Sequence, residues 1–134
     1  MRRFGSNERG ATAAEFAVVA PILIALVMGS IEFGSIMYTL GTTEFATNDA
    51  ARQLATNRIT ASQVAGIIAL RLPSWAQASA AVTISQSSTD PNKNQYTVTT
   101  NVPLSSATPT QFFSLIYGTK SFNCTAVMQQ EPMS

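Results

Sequence analysis

The sequence predicts an α+β chain in which one long N-terminal helix, apolar enough at its start to cross a membrane, runs on into a small domain of two short helices and about three β-strands. Three observations predict it. Between Glu15 and Glu32 lie sixteen consecutive uncharged, mostly apolar residues. No proline interrupts the stretch SIMYTLGTTEFATNDAARQLATN, residues 35–57. Past Asn57 polar and apolar residues alternate, as they do in a water-exposed fold that contains strands.

The helix comes first. Sixteen residues span about 24 Å at ~1.5 Å each, short of the ~30 Å hydrocarbon core of a bilayer. Counting on to Tyr38 makes the run long enough, so the membrane part falls at about 15–38 within a helix of 11–57. Pro21 lacks an amide hydrogen and crowds the carbonyl of Ala17, which predicts a kink or local unwinding there. Ala25 with Gly29 and Ser30 with Gly34 are small residues four apart, the spacing that lets two helices approach closely; an Ala-rich helix also produces such pairs by chance. Beyond Gly34, Met37, Leu40, Ala46, Ala50, Ala51 and Leu54 fall near one broad face for burial.

The next element starts at Thr60, where Thr60-Ala61-Ser62-Gln63 reads as a capping box and Ile59 with Val64 as a hydrophobic staple. Val64, Ile67, Ile68 and Leu72 form its buried side, and Pro73 stops it. AVTIS and QYTVTTNV alternate cleanly, burying Val82 and Ile84 on the first and Tyr96, Val98 and Val102 on the second, with a polar loop from Ser87 to Asn94 between them. They predict an antiparallel hairpin. A further helix is expected where Thr108 caps, Pro109 takes the first helical position, Gln111 completes a second capping box and Gly118 ends the run. Phe112, Phe113, Ile116 and Tyr117 on it are expected in the core rather than on a docking surface. A last strand carries Phe122, Cys124, Ala126 and Met128 on one face.

Composition removes several functions. Net charge is +1 with no basic patch, which argues against nucleic acid. The chain has no histidine and a single cysteine, Cys124, so the commonest general base and metal ligand are missing and an intramolecular disulfide is excluded. Glu44, Asp49, Asp90 and Glu131 are dispersed with no motif to gather them. No cofactor, metal or catalytic residue is expected. Arg2, Arg3 and Arg9 precede the helix, whereas Glu32, Glu44 and Asp49 follow, and this asymmetry keeps the N-terminus cytoplasmic. A cleaved secretory signal is the alternative, with Gly29-Ser30 as its cleavage site, but helix-compatible sequence continues through IEFGSIMYTLG.

The short basic leader, Gly10, four small residues, then Glu15-Phe16 and an apolar helix together resemble the class III signal of type IV pilin-like proteins. More closely, ERGATAAEFAVVAPILIALVMGSIEFG resembles the TadE-like minor pseudopilins of the tight-adherence, or Flp-type, pilus, including the Ala-Pro in mid-helix and the Glu-Phe-Gly that follows. The resemblance implies a pilin-like domain on a membrane helix and removal of the 1–10 leader by a prepilin peptidase. Gly10 is then the last leader residue, Ala11 the new N-terminus and Glu15 the fifth mature residue. Ala11 stands where the wider pilin class often has an aromatic. The resemblance also implies that Glu15 meets the N-terminal amine of a neighbouring subunit. Implied partners are the peptidase, other pilins and pseudopilins, the inner-membrane assembly platform and the lipid bilayer, with residues 58–134 facing the periplasm. Two rivals stand beside a minor pseudopilin: a membrane-anchored periplasmic adaptor that is never cleaved, and a membrane-anchored hydrolase. Glu32 is expected near the outer membrane face, solvated by water.

Overall fold

In a computed structural model that describes residues 8–132, the chain is one 48-residue helix, α1 (Glu8–Ala55), with a small domain folded against its second half. Then come α2 (Ala61–Arg71), the one-turn α3 (Ser74–Gln77), β1 (Ala81–Gln86), β2 (Gln95–Pro103), a 3-10 turn (Leu104–Ser106), a second one-turn helix α4 (Ser114–Tyr117), and β3 (Ser121–Gln129). The three strands form an antiparallel sheet in the order β1-β2-β3, with Val98 opposite both Ile84 and Ala126. Arg2 and Arg3 lie outside the described residues.

The core forms where α1, α2 and one sheet face meet. Ala46, Ala50, Ala51 and Leu54 of α1 pack with Val64, Ile68, Leu72, Ala76, Val98, Val102 and Ala126. Alanine on α1 has a steric reason, since a small side chain lets the sheet and α2 close on the helix at packing density. The expected inward residues of β1, β2 and β3 all face this core. Within α2, the Thr60 amide donates to Gln63 Oε1 at 3.0 Å, and Pro73 follows the C-cap Leu72.

Four expectations need correction. Met37 is exposed, and Thr39, Thr43 and Thr47 are buried instead. The buried face of α1 runs Glu32, Ile36, Thr39, Thr43, Ala46, Ala50, Leu54, a spacing of threes and fours that apolar residues alone do not display. Thr108 and Pro109 do not open a helix: α4 begins at Ser114, and Gln111 adopts a positive φ of 48°, which breaks the helical path. Gly118 does end it, at φ 54°. Of the kink or local unwinding expected at Pro21, the unwinding is absent, since the helix continues through Pro21 without interruption. Lastly, α3 occupies the segment after Pro73, where the sequence predicts only a helix stop.

The far end of α1 is pinned. The Asn57 and Arg58 amides donate to the Leu54 and Gln53 carbonyls at 3.1 and 2.9 Å, with Asn57 at φ 56°, so the helix closes on a left-handed cap. Buried Asn94 and Gln130 then link this cap to the sheet: Asn94 Nδ2 donates to Gln130 Oε1, and Gln130 Nε2 to Asn57 Oδ1, both at 2.9 Å.

Candidate assembly and membrane surface

From Gly10 to Ile31 the helix has almost no cover. Phe16, Val18, Val19, Ile22, Leu23, Ile24, Leu26, Val27 and Ile31 are all exposed, and only 6% of the most apolar 18-residue window is buried inside the chain. A core helix of a soluble protein would be mostly buried. Lining up large apolar side chains against water at ~25 cal/mol per Å² is unfavourable, so this surface requires lipid or other helices. The helix is compatible with a single-pass membrane anchor.

The residues singled out for processing and assembly lie along this bare segment. Gly10, Ala11, Glu15 and Phe16 are exposed, and among the described residues no ion pair involves Glu15. Pro21, Ala25, Ser30 and Gly34 are also exposed, Ser30 donating its hydroxyl back to the Leu26 carbonyl at 2.9 Å. Gly29 differs. A Cβ built on it would lie 3.3 Å from the Phe113 ring, so the missing side chain makes room for the loop ahead of α4.

Glu32 overturns its expectation. It is 0% exposed rather than solvated, and both carboxylate oxygens accept the Phe113 amide, at 3.2 and 3.1 Å. The Tyr117 hydroxyl faces the same carboxylate. One acid on α1 thereby fastens the segment between β2 and β3 to the helix. The aromatic stripe is corrected too. Phe113 is half-buried on Gly29, but Phe112 is 53%, Ile116 69% and Leu115 99% exposed. A four-residue helix at the end of a loop has no second layer to cover it.

Just beyond Glu32 the helix carries polar side chains whose bonds are all made within the fold. Thr39 donates to the Ala107 carbonyl at 2.7 Å and accepts from Trp75 Nε1 at 3.2 Å. The Thr43 hydroxyl reaches the Thr39 carbonyl at 2.7 Å, and Thr47 Oγ1 lies 2.8 Å from Thr100 Oγ1 on β2. Sequence reasoning missed all three threonines; counting Thr with the apolar residues in the three-four pattern would have found them. Trp75 also packs on Tyr38, ring centroids 6.5 Å apart. Cys124 is free and buried; burial first, and the Glu44 charge second, push its thiol above the ordinary value.

A polar cavity of about 630 Å³ lies beside the last turns of α1, lined by Asp49, Arg52, Gln53, Thr56, Arg58 and Glu131. Its hydroxyl, Thr56, is turned back to the Arg52 carbonyl at 3.0 Å, so it offers no nucleophile held by a base. Among the described residues no three His, Cys, Asp or Glu side chains gather as metal ligands.

Residues 10–52 match the family model described as TadE-like protein. No curated protein and no solved structure matches the chain. The match spans the bare segment, Glu32 and the threonine face together, and it suggests a role related to the tight-adherence pilus, in a family that is structural and not a known enzyme family. Over residues 10–52, the long helix of this chain is therefore similar to that of TadE-like proteins.

Proposed function

We propose that this chain is a minor pseudopilin of the tight-adherence pilus, made as a precursor, cut after Gly10 by a prepilin peptidase, and assembled with other pilins and pseudopilins through its bare helix. The observation that carries the reading is the uncovered apolar surface of α1 on the side where Gly10 and Glu15 lie. A carboxylate at the edge of the hydrocarbon sits where an unpaired charge is costly to bury, so it gains from a partner. Removing the leader creates one, because the freed Ala11 amine is cationic, and Glu15 of one subunit meets the Ala11 amine of the next. The N-terminus starts in the cytoplasm and residues 58–134 lie in the periplasm, where they prime or cap the filament.

Intact mass of the membrane-extracted chain, with and without a matched prepilin peptidase, tests the proposal. Loss of residues 1–10 in the wild type, blocked by Gly10→Val, is the expected result. Retention of the leader beside an active peptidase would sink it and leave the uncleaved adaptor standing.

A further inference from the structure

We propose that the loop closing on α4 is a second membrane contact: Phe112, Leu115 and Ile116 insert into the hydrocarbon of the leaflet nearest the domain. The inference rests on the reading of α1 as a membrane-spanning helix and adds to it a lipid-binding site on the domain itself.

Axial position carries the argument. Glu15 and Glu32 are seventeen residues apart on one unbroken helix, roughly 26 Å at ~1.5 Å per residue. That falls short of the ~30 Å hydrocarbon thickness, and tilt shortens it further. With Glu15 at one boundary, the level of Glu32 still lies inside the opposite leaflet. The loop is held at that level, through the Phe113 ring on Gly29 and the Phe113 amide on Glu32. Its outward side chains are Leu115, 99% exposed, with Ile116 and Phe112 beside it, and no charge occurs from Gln111 to Thr119. On α1, at this level and just below it, Leu26, Val27 and Ile31 are exposed as well.

Two further features fit the same depth. Glu32 is 0% exposed, so at this level the hydrogen-bonding needs of its carboxyl group are met by the Phe113 amide and the Tyr117 hydroxyl supplied by the loop. Tyr38 and Trp75 pair six residues farther along α1, roughly 9 Å outward at ~1.5 Å per residue, where amphipathic rings prefer the headgroup layer. The domain thus has an apolar foot below an aromatic girdle.

The experiment uses the full chain in nanodiscs loaded with a single copy, so that a second copy cannot cover the loop. In a Cys124→Ala background, a spin label is placed singly by Leu115→Cys, Ile116→Cys, Leu23→Cys or Thr125→Cys, and its relaxation by oxygen, which concentrates in lipid, is compared with that by a water-soluble nickel chelate. Leu23 reports the span and Thr125, on the exposed face of β3, reports water. Labels at 115 and 116 should be relaxed mainly by oxygen, as at 23, and opposite to 125. Nickel-dominated relaxation at both loop positions with oxygen-dominated relaxation at 23 overturns the loop contact alone. Shielding of the loop labels from both reagents also overturns it, in favour of a protein-covered surface. Nickel-dominated relaxation at 23 overturns the span on which the inference rests, and the loop contact with it.

Discussion

The two halves of α1 have the same backbone and opposite surroundings. Residues 10–31 carry large branched and aromatic side chains with nothing over them, whereas from Glu32 to Ala55 the inward face is mostly alanine and threonine under a sheet and two helices. Side-chain size accounts for the difference. A surface meant for lipid or neighbouring helices gains from bulk, while one that must let a sheet approach closely gains from its absence. Polarity divides along the same line: Glu15 is exposed, and Glu32 is enclosed with its bonds made inside the fold.

The sharpest way to break this comparison is at the two acids. On the proposed mechanism Glu15→Ala abolishes crosslinking of α1 to other pilins in cells making the whole machine, while membrane insertion, leader removal and thermal unfolding of the domain in detergent stay as in wild type. Equal crosslinking in mutant and wild type would remove the pairing of Glu15 with the neighbouring amine. Glu32→Ala should do the reverse: it leaves the Phe113 amide without its acceptor, at about 1–3 kcal/mol for an unsatisfied buried donor, and increases proteolysis in the segment 107–118.

Bulk is the next lever. Ile68 is fully buried against the α1 alanines, so Ile68→Ala should lower domain stability by about 2–5 kcal/mol. Leu23→Ala removes an exposed side chain of similar size and should change unfolding in detergent by no more than about 0.5 kcal/mol. Similar losses for both would mean that the bare half is packed against the domain, contrary to the fold. An effect between these two is expected of Thr39→Val, which leaves Trp75 Nε1 without its acceptor and the Ala107 carbonyl without its donor. Its cost is about 1–3 kcal/mol, with a shift in Trp75 emission as the local readout.

Much of this contrast is legible in the sequence, and the parts that are not have physical reasons. Length and polarity disclose the bare half, and capping chemistry at Thr60 with strict alternation in β1, β2 and β3 discloses most of the domain. The enclosed half of α1 is harder because its pattern is written partly in threonine. Each buried hydroxyl is neutralised by a carbonyl one turn back or by a partner across the core, so Thr43 and Thr47 behave as apolar residues only once the fold exists. Thr108-Pro109 carries a strong helix-start signal, yet the chain there is drawn to α1 by the Thr39 bond to Ala107 and the Glu32 bond to Phe113, and these long-range contacts override the local preference. Glu32 is hidden for a related reason: an acid after an apolar run reads as a membrane-surface charge until its loop partner, 81 residues away, is known.

The smallest predicted effect lies at Cys124, on the enclosed side. Its thiol is raised above the ordinary value, by burial first and by the Glu44 charge second. The neutral thiol is therefore the form that the fold favours, and the unfolded chain loses this proton at lower pH than the folded one. The sign follows from linkage: the contribution is fully present below the ordinary thiol range and is lost as pH rises through the folded value. Unfolding midpoints in detergent should accordingly fall more steeply on the alkaline side for the wild type than for Cys124→Ala, with the two parallel at neutral pH. Alkylation provides the kinetic counterpart, because a buried neutral thiol reacts slowly with maleimide, and modification should follow domain unfolding rather than precede it. Rapid labelling of the native chain at neutral pH would show that β3 opens away from α1, and that the enclosure of the second half is looser than its packing indicates.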